Sequence, residues 1–505
     1  MTKLDIVFIH SNISSVIYQG LSKEYSAIET PIWAGMLANH VRSRGFYTAI
    51  VDAEAERYTI DQTVKAISDT DPKIACFVVY GQQPSASTQN MEGAVLTSKR
   101  LREEHPEIKI LFVGAHVAAQ PEATLLSEKH IDFVCLNEGV YTISSLCEAG
   151  KFDSSTLKKI KGLIFRDNKE IITNEPEKIV PKSLISTDLP GVAWDLLPSF
   201  DKYRTAGWHS WSNNTKKSPF AAVYTSLGCP YQCSFCMINI INRTKTGPGI
   251  SSQDSNVFRW WDPKFMIKQF DYLAEKGVKN IKIADELFVL NPGHFMKLCE
   301  MIIERKYDFN IWAYSRIDTC KPEFLETLKK AGVNWLALGI ENPDSILRHE
   351  IHKGSFKEVR IGDVIDSIRN ADINVISNYI FGLPMDTKES MENTLKYAKE
   401  HLTEAYNFYC AMAYPGSPLH LLAQEKGWEL PKTYTGYSQH SYDILNLRND
   451  NLSSADILSF RDKAWNETHS SPEYHALLEK KFGLNAVNDL KSSIKIKLSR
   501  KILGD

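Results

Sequence analysis

The chain predicts an α/β protein of two parallel-sheet units, the first doubly wound and the second a partial (β/α)6 barrel, followed by a small helical region. Three observations carry that expectation. Short apolar runs alternate with segments of helical period over the first 150 residues. A second series of strand–helix repeats runs from 220 to about 425. From 426 to 505 the later segments have helical period alone. A length of 505 residues suits two or three domains. The units are therefore placed at 1–150, 220–425 and 426–505, with a connector at 151–219.

In the first unit, Leu4–Ile9 is an apolar strand. Ile32–Arg44 has helical periodicity, and Gly45 suits its C-cap. Thr48–Val51 is the second strand and Thr63–Ser68 is helical. Ile74–Tyr80 is a continuous apolar strand that opens into the loop Gly81-Gln82-Gln83-Pro84-Ser85. A helix from about Asn90 to Glu104 leads to strands at Ile108–Val113 and Phe133–Leu136. Ligands of such sheets bind beyond the carboxyl ends of the strands. Those ends carry Ser11, Asp52, Tyr80 to Ser85, Gly114 to His116 and Glu138. No G-x-G-x-x-G follows the first strand, so a dinucleotide is not indicated. His116 reads as a hydrogen-bonded surface histidine.

The connector holds a hairpin at Leu163–Asp167 and Glu170–Asn174, then a polar run through Pro181 and Pro190. Ser210 to Ser218 reads as a polar loop beside the site.

In the second unit, strands are expected at Ala221–Thr225, Ile281–Ala284, Ile311–Tyr314, Trp335–Gly339, Val375–Phe381 and Tyr406–Met412. Helices are expected at Lys264–Lys276, Pro292–Arg305, Pro322–Ala331, Phe356–Ala371 and Lys388–His401. Chemistry then belongs at the carboxyl face of the strands. There fall Asp285-Glu286, Ser315-Arg316-Ile317-Asp318, Gly339-Ile340-Glu341-Asn342, Gly382-Leu383-Pro384 and Tyr414 to Pro418. The last region has helices at Asp456–His469, Pro472–Phe482 and Leu484–Lys497. Trp428, Tyr434, Tyr437, His440 and Tyr442 precede them and either shape a pocket or pack the barrel's open edge. Lys491, Lys495, Lys497, Arg500 and Lys501 read as a solvated face.

Cys229, Cys233 and Cys236 form a C-x3-C-x2-C triplet just after the first barrel strand. Three thiolates can hold three corners of a [4Fe-4S] cube and leave the fourth iron open to a ligand. A structural zinc site wants four ligands, and neither His294 nor Cys299 makes a knuckle with the triplet. Nine cysteines in 505 residues are odd in number and too sparse for a disulfide scaffold. Cys76, Cys135, Cys147, Cys299, Cys320 and Cys410 read as core thiols.

A net charge of -2 gives no electrostatic case for a nucleic-acid partner. No run of eighteen apolar residues exists, so no membrane span is expected. The apolar run at the N-terminus is too short for a signal peptide. Free thiols and a reducible cluster require a reducing compartment, which places the protein in the cytoplasm.

The triplet and the ordered strand-end blocks resemble the radical S-adenosylmethionine (SAM) enzymes. The first unit resembles the Rossmann-like cobalamin-binding domain that precedes the TIM-like core of B12-dependent members. The matching pieces are Glu29-Thr30-Pro31, Val51-Asp52-Ala53, Val113-Gly114-Ala115-His116 with Pro121-Glu122, and Asn137-Glu138-Gly139. Together they cover nearly all of the first 150 residues. The resemblance implies a [4Fe-4S] cluster on the three cysteines, with SAM and cobalamin as further cofactors. A cationic Arg316 suits the SAM carboxylate, and Asp285, Glu286 and Glu341 suit its ammonium or ribose. Phe235 and Met237 match the family's adenine contacts. Asp52, Tyr80, Gly114 and Glu138 would border cobalamin. Lys353-Gly354 resembles a further block near the site, or is a solvated lysine. The D-x-H-x-x-G loop is absent, so cobalt would lack a protein histidine. Ala115 stands where a second glycine is usual, and its Cβ would crowd a nucleotide tail.

The implied activity begins with a 5′-deoxyadenosyl radical and most simply ends in methylation of an unactivated centre of a small molecule. A flavodoxin or ferredoxin would supply electrons. A cobalamin-dependent rearrangement or ring closure without methyl transfer is the alternative. A third reading is a non-catalytic cobalamin or iron–sulfur sensor.

Overall fold

The computed structural model describes residues 3–81, 84–212, 216–243, 251–255, 257–354, 356 and 359–505. Gln82 and Gln83 of the expected loop lie outside them.

Strands β1 (Leu4–His10), β2 (Thr48–Asp52), β3 (Pro72–Val78), β4 (Lys109–Val113) and β5 (Phe133–Cys135) run parallel in the order 2-1-3-4-5. Both faces are covered: Ile6 and Phe8 enter one core, Val7 and Ile9 the other. The order reverses between β1 and β3, which opens a crevice at their carboxyl ends. The hairpin β6 (Leu163–Asp167) and β7 (Glu170–Thr173) continues the sheet antiparallel from β5. Read from sequence as connector, it is the edge of the first sheet. The helix Val140–Ala149 went unread because Gly139 (φ +79°) starts it without a side-chain cap.

In the second unit, the strands are β8 (Phe220–Val223), β9 (Ser226–Leu227), β10 (Arg259–Trp260), β11 (Asn280–Ile283), β12 (Asn310–Arg316), β13 (Val333–Glu341), β14 (Asn374–Phe381) and β15 (Ala405–Cys410). β8 and β11 to β15 form a six-stranded parallel sheet in chain order, a half-barrel with β8 and β15 at its edges. β9 and β10 are a small antiparallel ribbon. The expected helix at Phe356–Ala371 is shorter, Ile361–Asn370. Before it lies Ser345–Glu350, capped by the Asp344 side chain.

The amino end of the half-barrel is closed. Asn310 Nδ2 donates to Asn280 Oδ1 (2.9 Å) and to the His209 carbonyl (2.8 Å), and Asn334 Nδ2 donates to Asn310 Oδ1 (3.1 Å). Trp208 packs on Trp312 and Trp335, with ring centroids 5.4 and 5.1 Å away. Ser210 and Ser212 are buried, and Asn374 Nδ2 donates to Ser212 Oγ (2.9 Å). This segment therefore plugs the end opposite the cysteine loop, contrary to the loop expected beside the site. The apolar bulk of Trp208 finds its burial there. Residues 213–215 are not described.

The two units share buried polar contacts. Arg259 on β10 pairs with Glu138 after β5 (2.7 Å) and donates to the Val180 carbonyl (2.6 Å). Lys282 on β11 pairs with Glu29 (2.8 Å). Thr30 covers the edge strand β8: its hydroxyl donates to the Ala222 carbonyl (3.2 Å) and accepts from the Ala222 amide (2.9 Å). The chain ends in helices Ser454–His469, Pro472–Phe482 and Leu484–Ile494. Arg500 is not part of a solvated face; it is buried against Asp462 (3.3 Å) and the Gln439 carbonyl (3.1 Å). Among the described residues, no helix is long and apolar enough to cross a membrane.

Glu138→Ala would leave Arg259 charged, buried and short of its partner. The expected loss is about 3–5 kcal/mol of unfolding free energy, measured by urea denaturation of the intact chain.

Candidate cluster and cofactor site

After β8 the chain turns through Thr225 and Ser226 into the cysteine loop. Asp285, just beyond β11, holds the root of that loop. Its Oδ1 accepts from the Thr225 amide (2.6 Å), and its Oδ2 accepts from the Thr225 and Ser226 hydroxyls (2.5 and 2.7 Å). Burial pushes its carboxyl up to about 6. Asp285 does not line the cavity beyond the loop, because its oxygens are turned to these donors. Expected to meet SAM, Asp285 here serves the loop root instead. Glu286 does line the cavity and accepts from the Gly228 amide (3.0 Å). Burial pushes Glu286 up to about 8.

The loop is tied down on all sides. Gly228 has φ +86°, and a Cβ there would lie 2.1 Å from the Val257 carbonyl oxygen. Asn239 Nδ2 donates to the Cys229 carbonyl (2.8 Å), and its Oδ1 accepts from the Cys229 amide (3.2 Å). The Ser234 amide donates to the Ile351 carbonyl and its own carbonyl accepts from Leu419, both at 2.9 Å. Sequence reasoning missed Asn239, since nothing local marks an asparagine as a loop clamp.

Cys229, Cys233 and Cys236 line a cavity of about 310 Å³ together with Phe235 and Met237. All three are free thiols. Burial pushes Cys229 up to about 12 and raises the other two. Among the described residues, no three His, Cys, Asp or Glu side chains gather around a single metal ion.

Arg316 ends β12 with its guanidinium 3.8 Å over the Tyr231 ring. Nε and Nη2 donate to the Asp318 carboxylate (2.8 and 2.9 Å), and Nη2 also donates to the Lys353 carbonyl (2.7 Å). Nη1 is buried with no hydrogen-bond partner among the described residues. A buried guanidinium N–H without an acceptor is costly and matches a missing carboxylate. Glu341 has φ +61° and turns Oε1 to Lys353 Nζ (2.8 Å). Lys353 is buried, not solvated. Gly339 makes room for the pair: a Cβ there would lie 2.7 Å from both Glu341 Oε1 and Lys353 Nζ. The donor set fits an iron–sulfur cluster with an amino-acid ligand beside it.

From the first unit, Ser85 reaches this cavity. Asp52, Tyr80, Gly114 and Glu138, expected to border cobalamin, lie outside this cavity. Asp52 accepts from Tyr203 Oη (2.8 Å) and bonds His10 Nδ1 (3.0 Å). Tyr80 donates to the Glu138 carbonyl (3.1 Å) and stacks on Trp33 at 4.2 Å. Gly114 has φ +151°, and a Cβ there would lie 2.4 Å from the Val79 carbonyl oxygen. Glu138 holds Arg259. At the β1/β3 crevice, Ser11 borders a gap with Ser14, Gln89 and Asn90. Its hydroxyl is buried without a hydrogen-bond partner among the described residues. Hydroxyl and amide side chains there suit the amide-rich rim of a corrin. His116 is buried rather than at the surface. Its Nδ1 bonds Thr88 Oγ1 (3.1 Å), its ring meets Tyr434 edge-on, and burial pushes it down to about 3.

From the segment before the last helices, Gln439 lines the cavity. The aromatics around it pack instead: Tyr437 on Tyr414, Tyr434 on the first unit, and Trp428 against the Leu383 and Leu419 cluster. Cys410, expected in the core, also lines the cavity.

The Radical SAM superfamily matches residues 223–398 and the B12 binding domain matches residues 19–146. The chain thus pairs a B12 binding domain with a radical SAM domain, which implies a [4Fe-4S] cluster, SAM and cobalamin as its cofactors. It is 28% identical over 392 residues to an uncharacterized methyltransferase of Pyrococcus horikoshii, spanning 77% of each chain. It is 23% identical over 428 residues to the anaerobic magnesium-protoporphyrin IX monomethyl ester cyclase of Cereibacter sphaeroides, spanning 82% of this chain and 63% of that one. Among solved structures it matches the radical SAM methyltransferase TsrM from Kitasatospora setae, determined with cobalamin and a [4Fe-4S] cluster bound. The TM-score is 0.65 at 14% identity, covering 98% of this chain and 100% of that one.

Buried, uncharged His116 carries a pH signature. Its folded value lies below the ordinary 6.5, so its contribution is complete above pH 6.5 and is lost as pH falls toward about 3. His116→Gln is expected to flatten the acid limb of the stability profile by up to ~1.4 kcal/mol per pH unit, measured by denaturation between pH 6.5 and 4.5.

Proposed function

We propose that the protein methylates an unactivated centre of a small molecule. The observation that carries this reading is one cavity shared by three free cysteines, an arginine with an unpartnered N–H and, from the B12-binding unit, Ser85. When bound, the cluster supplies the electron that opens SAM, and cobalamin supplies a transferable methyl group. Cys229, Cys233 and Cys236 hold the iron. Arg316 receives the SAM carboxylate on Nη1, already oriented by Asp318 and Tyr231, so little freedom is lost on binding. Glu286 and Glu341 serve its amino and ribose ends, and Phe235 and Met237 give apolar contact to adenine. Asp285 acts through the loop root, as a positioning residue. A flavodoxin- or ferredoxin-type carrier in a reducing cytoplasm delivers the electron. The methyltransferase names among the relatives support this reading.

A second reading keeps the cofactors and omits methyl transfer, in a rearrangement or ring closure. The match to the cyclase along 82% of this chain favours it. Products separate the two. Methylation yields 5′-deoxyadenosine and S-adenosylhomocysteine in equal amounts per methylated product. The alternative yields 5′-deoxyadenosine without S-adenosylhomocysteine or gain of a methyl group. The assay is mass spectrometry of anaerobic reactions with reconstituted protein.

Two variants test the assignments. Cys233→Ala is expected to lose bound iron. Arg316→Met is expected to keep the iron and weaken SAM binding by about 10- to 100-fold, measured by equilibrium dialysis.

A further inference from the structure

The cavity is chemically two-sided. Among the described residues, its charged lining side chains are Glu286, Arg316, Glu341 and Lys353, and all belong to the cysteine side. Lys353 and Glu341 pair at 2.8 Å, and Arg316 pairs with Asp318 at 2.8 Å. A second wall, at and beyond the carboxyl ends of β12, β14 and β15, is formed by Tyr314, Ile380, Tyr409, Ala411, Met412 and Tyr414. Its amides are already engaged. Gln439 accepts from the Cys410 amide (3.0 Å) and donates to the Cys410 carbonyl (2.9 Å). Asn378 donates to the Leu338 carbonyl (3.0 Å) and accepts from Asn407 (2.9 Å). The Tyr409 hydroxyl makes no hydrogen bond to the described residues. The charges nearest this wall, Arg461 beside Tyr409 and Lys282 over the Tyr314 ring, are already paired with Asp462 and Glu29, so a charged group brought here would meet no uncommitted counter-charge. An apolar ring or chain would lie against aromatic and aliphatic carbon, with one polar group free to meet Tyr409.

We infer that the substrate is an uncharged, largely apolar molecule, ring-bearing or aliphatic, that presents one hydrogen-bonding group to the Tyr409 hydroxyl. This rests on the reading of the cavity as the place of reaction. It assigns Tyr409 a part in specificity and leaves the SAM contacts to the cysteine side. A hydroxyl or carbonyl on the substrate satisfies Tyr409. A carboxylate or ammonium at the same place would have to compete for Arg461 or Glu341, which are already paired with Asp462 and Lys353.

The test uses the full chain, reconstituted anaerobically with cluster, cobalamin and SAM but without reductant, so that nothing turns over. The probes are p-cresol, toluene, 4-methylbenzoate and 4-methylbenzylammonium, followed by equilibrium dialysis. The expected result is binding of p-cresol in preference to both charged isosteres. Tyr409→Phe should weaken p-cresol about tenfold and leave toluene unchanged, with iron content and circular dichroism preserved. Failure of p-cresol to bind overturns the inference. So does equal binding of either charged isostere, or an equal effect of Tyr409→Phe on p-cresol and toluene. Because binding is read without turnover, these outcomes leave the methyl-transfer reading standing, and absence of methylated product would leave this inference standing.

Discussion

The buried ion pair between Arg259 and Glu138 sets the register of the two units. The side chains are 2% and 1% exposed, so neither charge has water as an alternative partner. Such a pair adds little net stability over an apolar contact, but either half alone is strongly unfavourable. The two charges are therefore buried together or not at all. Glu138 follows β5 of the first sheet, while Arg259 lies on the ribbon strand opposite Leu227, two residues before Cys229. One contact thus ties the edge of the first unit to the root of the cysteine loop. Lys282 and Glu29 do the same from β11. The cavity wall that Ser85 contributes exists because these contacts hold the sheets in one relative position.

Within the second unit, much of the polar chemistry supports the loop rather than facing the cavity. Asp285 has three donors from Thr225 and Ser226, and Asn239 grips Cys229 from both sides of its peptide. Strain is concentrated nearby: Glu341 sits at positive φ, and Gly339 has no room for a side chain. These costs are local, and the sheet's apolar core bears them. The result is a rigid rim on which three thiols and one guanidinium N–H are held in place.

The strands and the cysteine triplet were legible in the sequence because their signals are local. A buried parallel strand is an unbroken apolar run, and C-x3-C-x2-C needs no distant partner to be recognised. The polar strand ends were legible as positions but not as roles. Asp52 looks like a ligand contact until Tyr203, 151 residues later, takes its oxygen. Glu138 meets Arg259 across 121 residues, and Asp285 meets Thr225 across 60. In sequence, a carboxylate serving a cofactor and one serving a remote hydroxyl look alike. Gln439 shows the reverse case, a polar residue among aromatics that tertiary packing carries into the cavity. The segment around Trp208 went astray for a related reason: its serines suggested solvent, while its tryptophan sought the barrel floor.

The closed floor has a consequence for traffic. Among the described residues, Trp208 and the asparagine ladder close the amino end, so the cavity can be reached only from the side on which the first unit contributes Ser85. Anything that enters by that mouth would also have to leave by it.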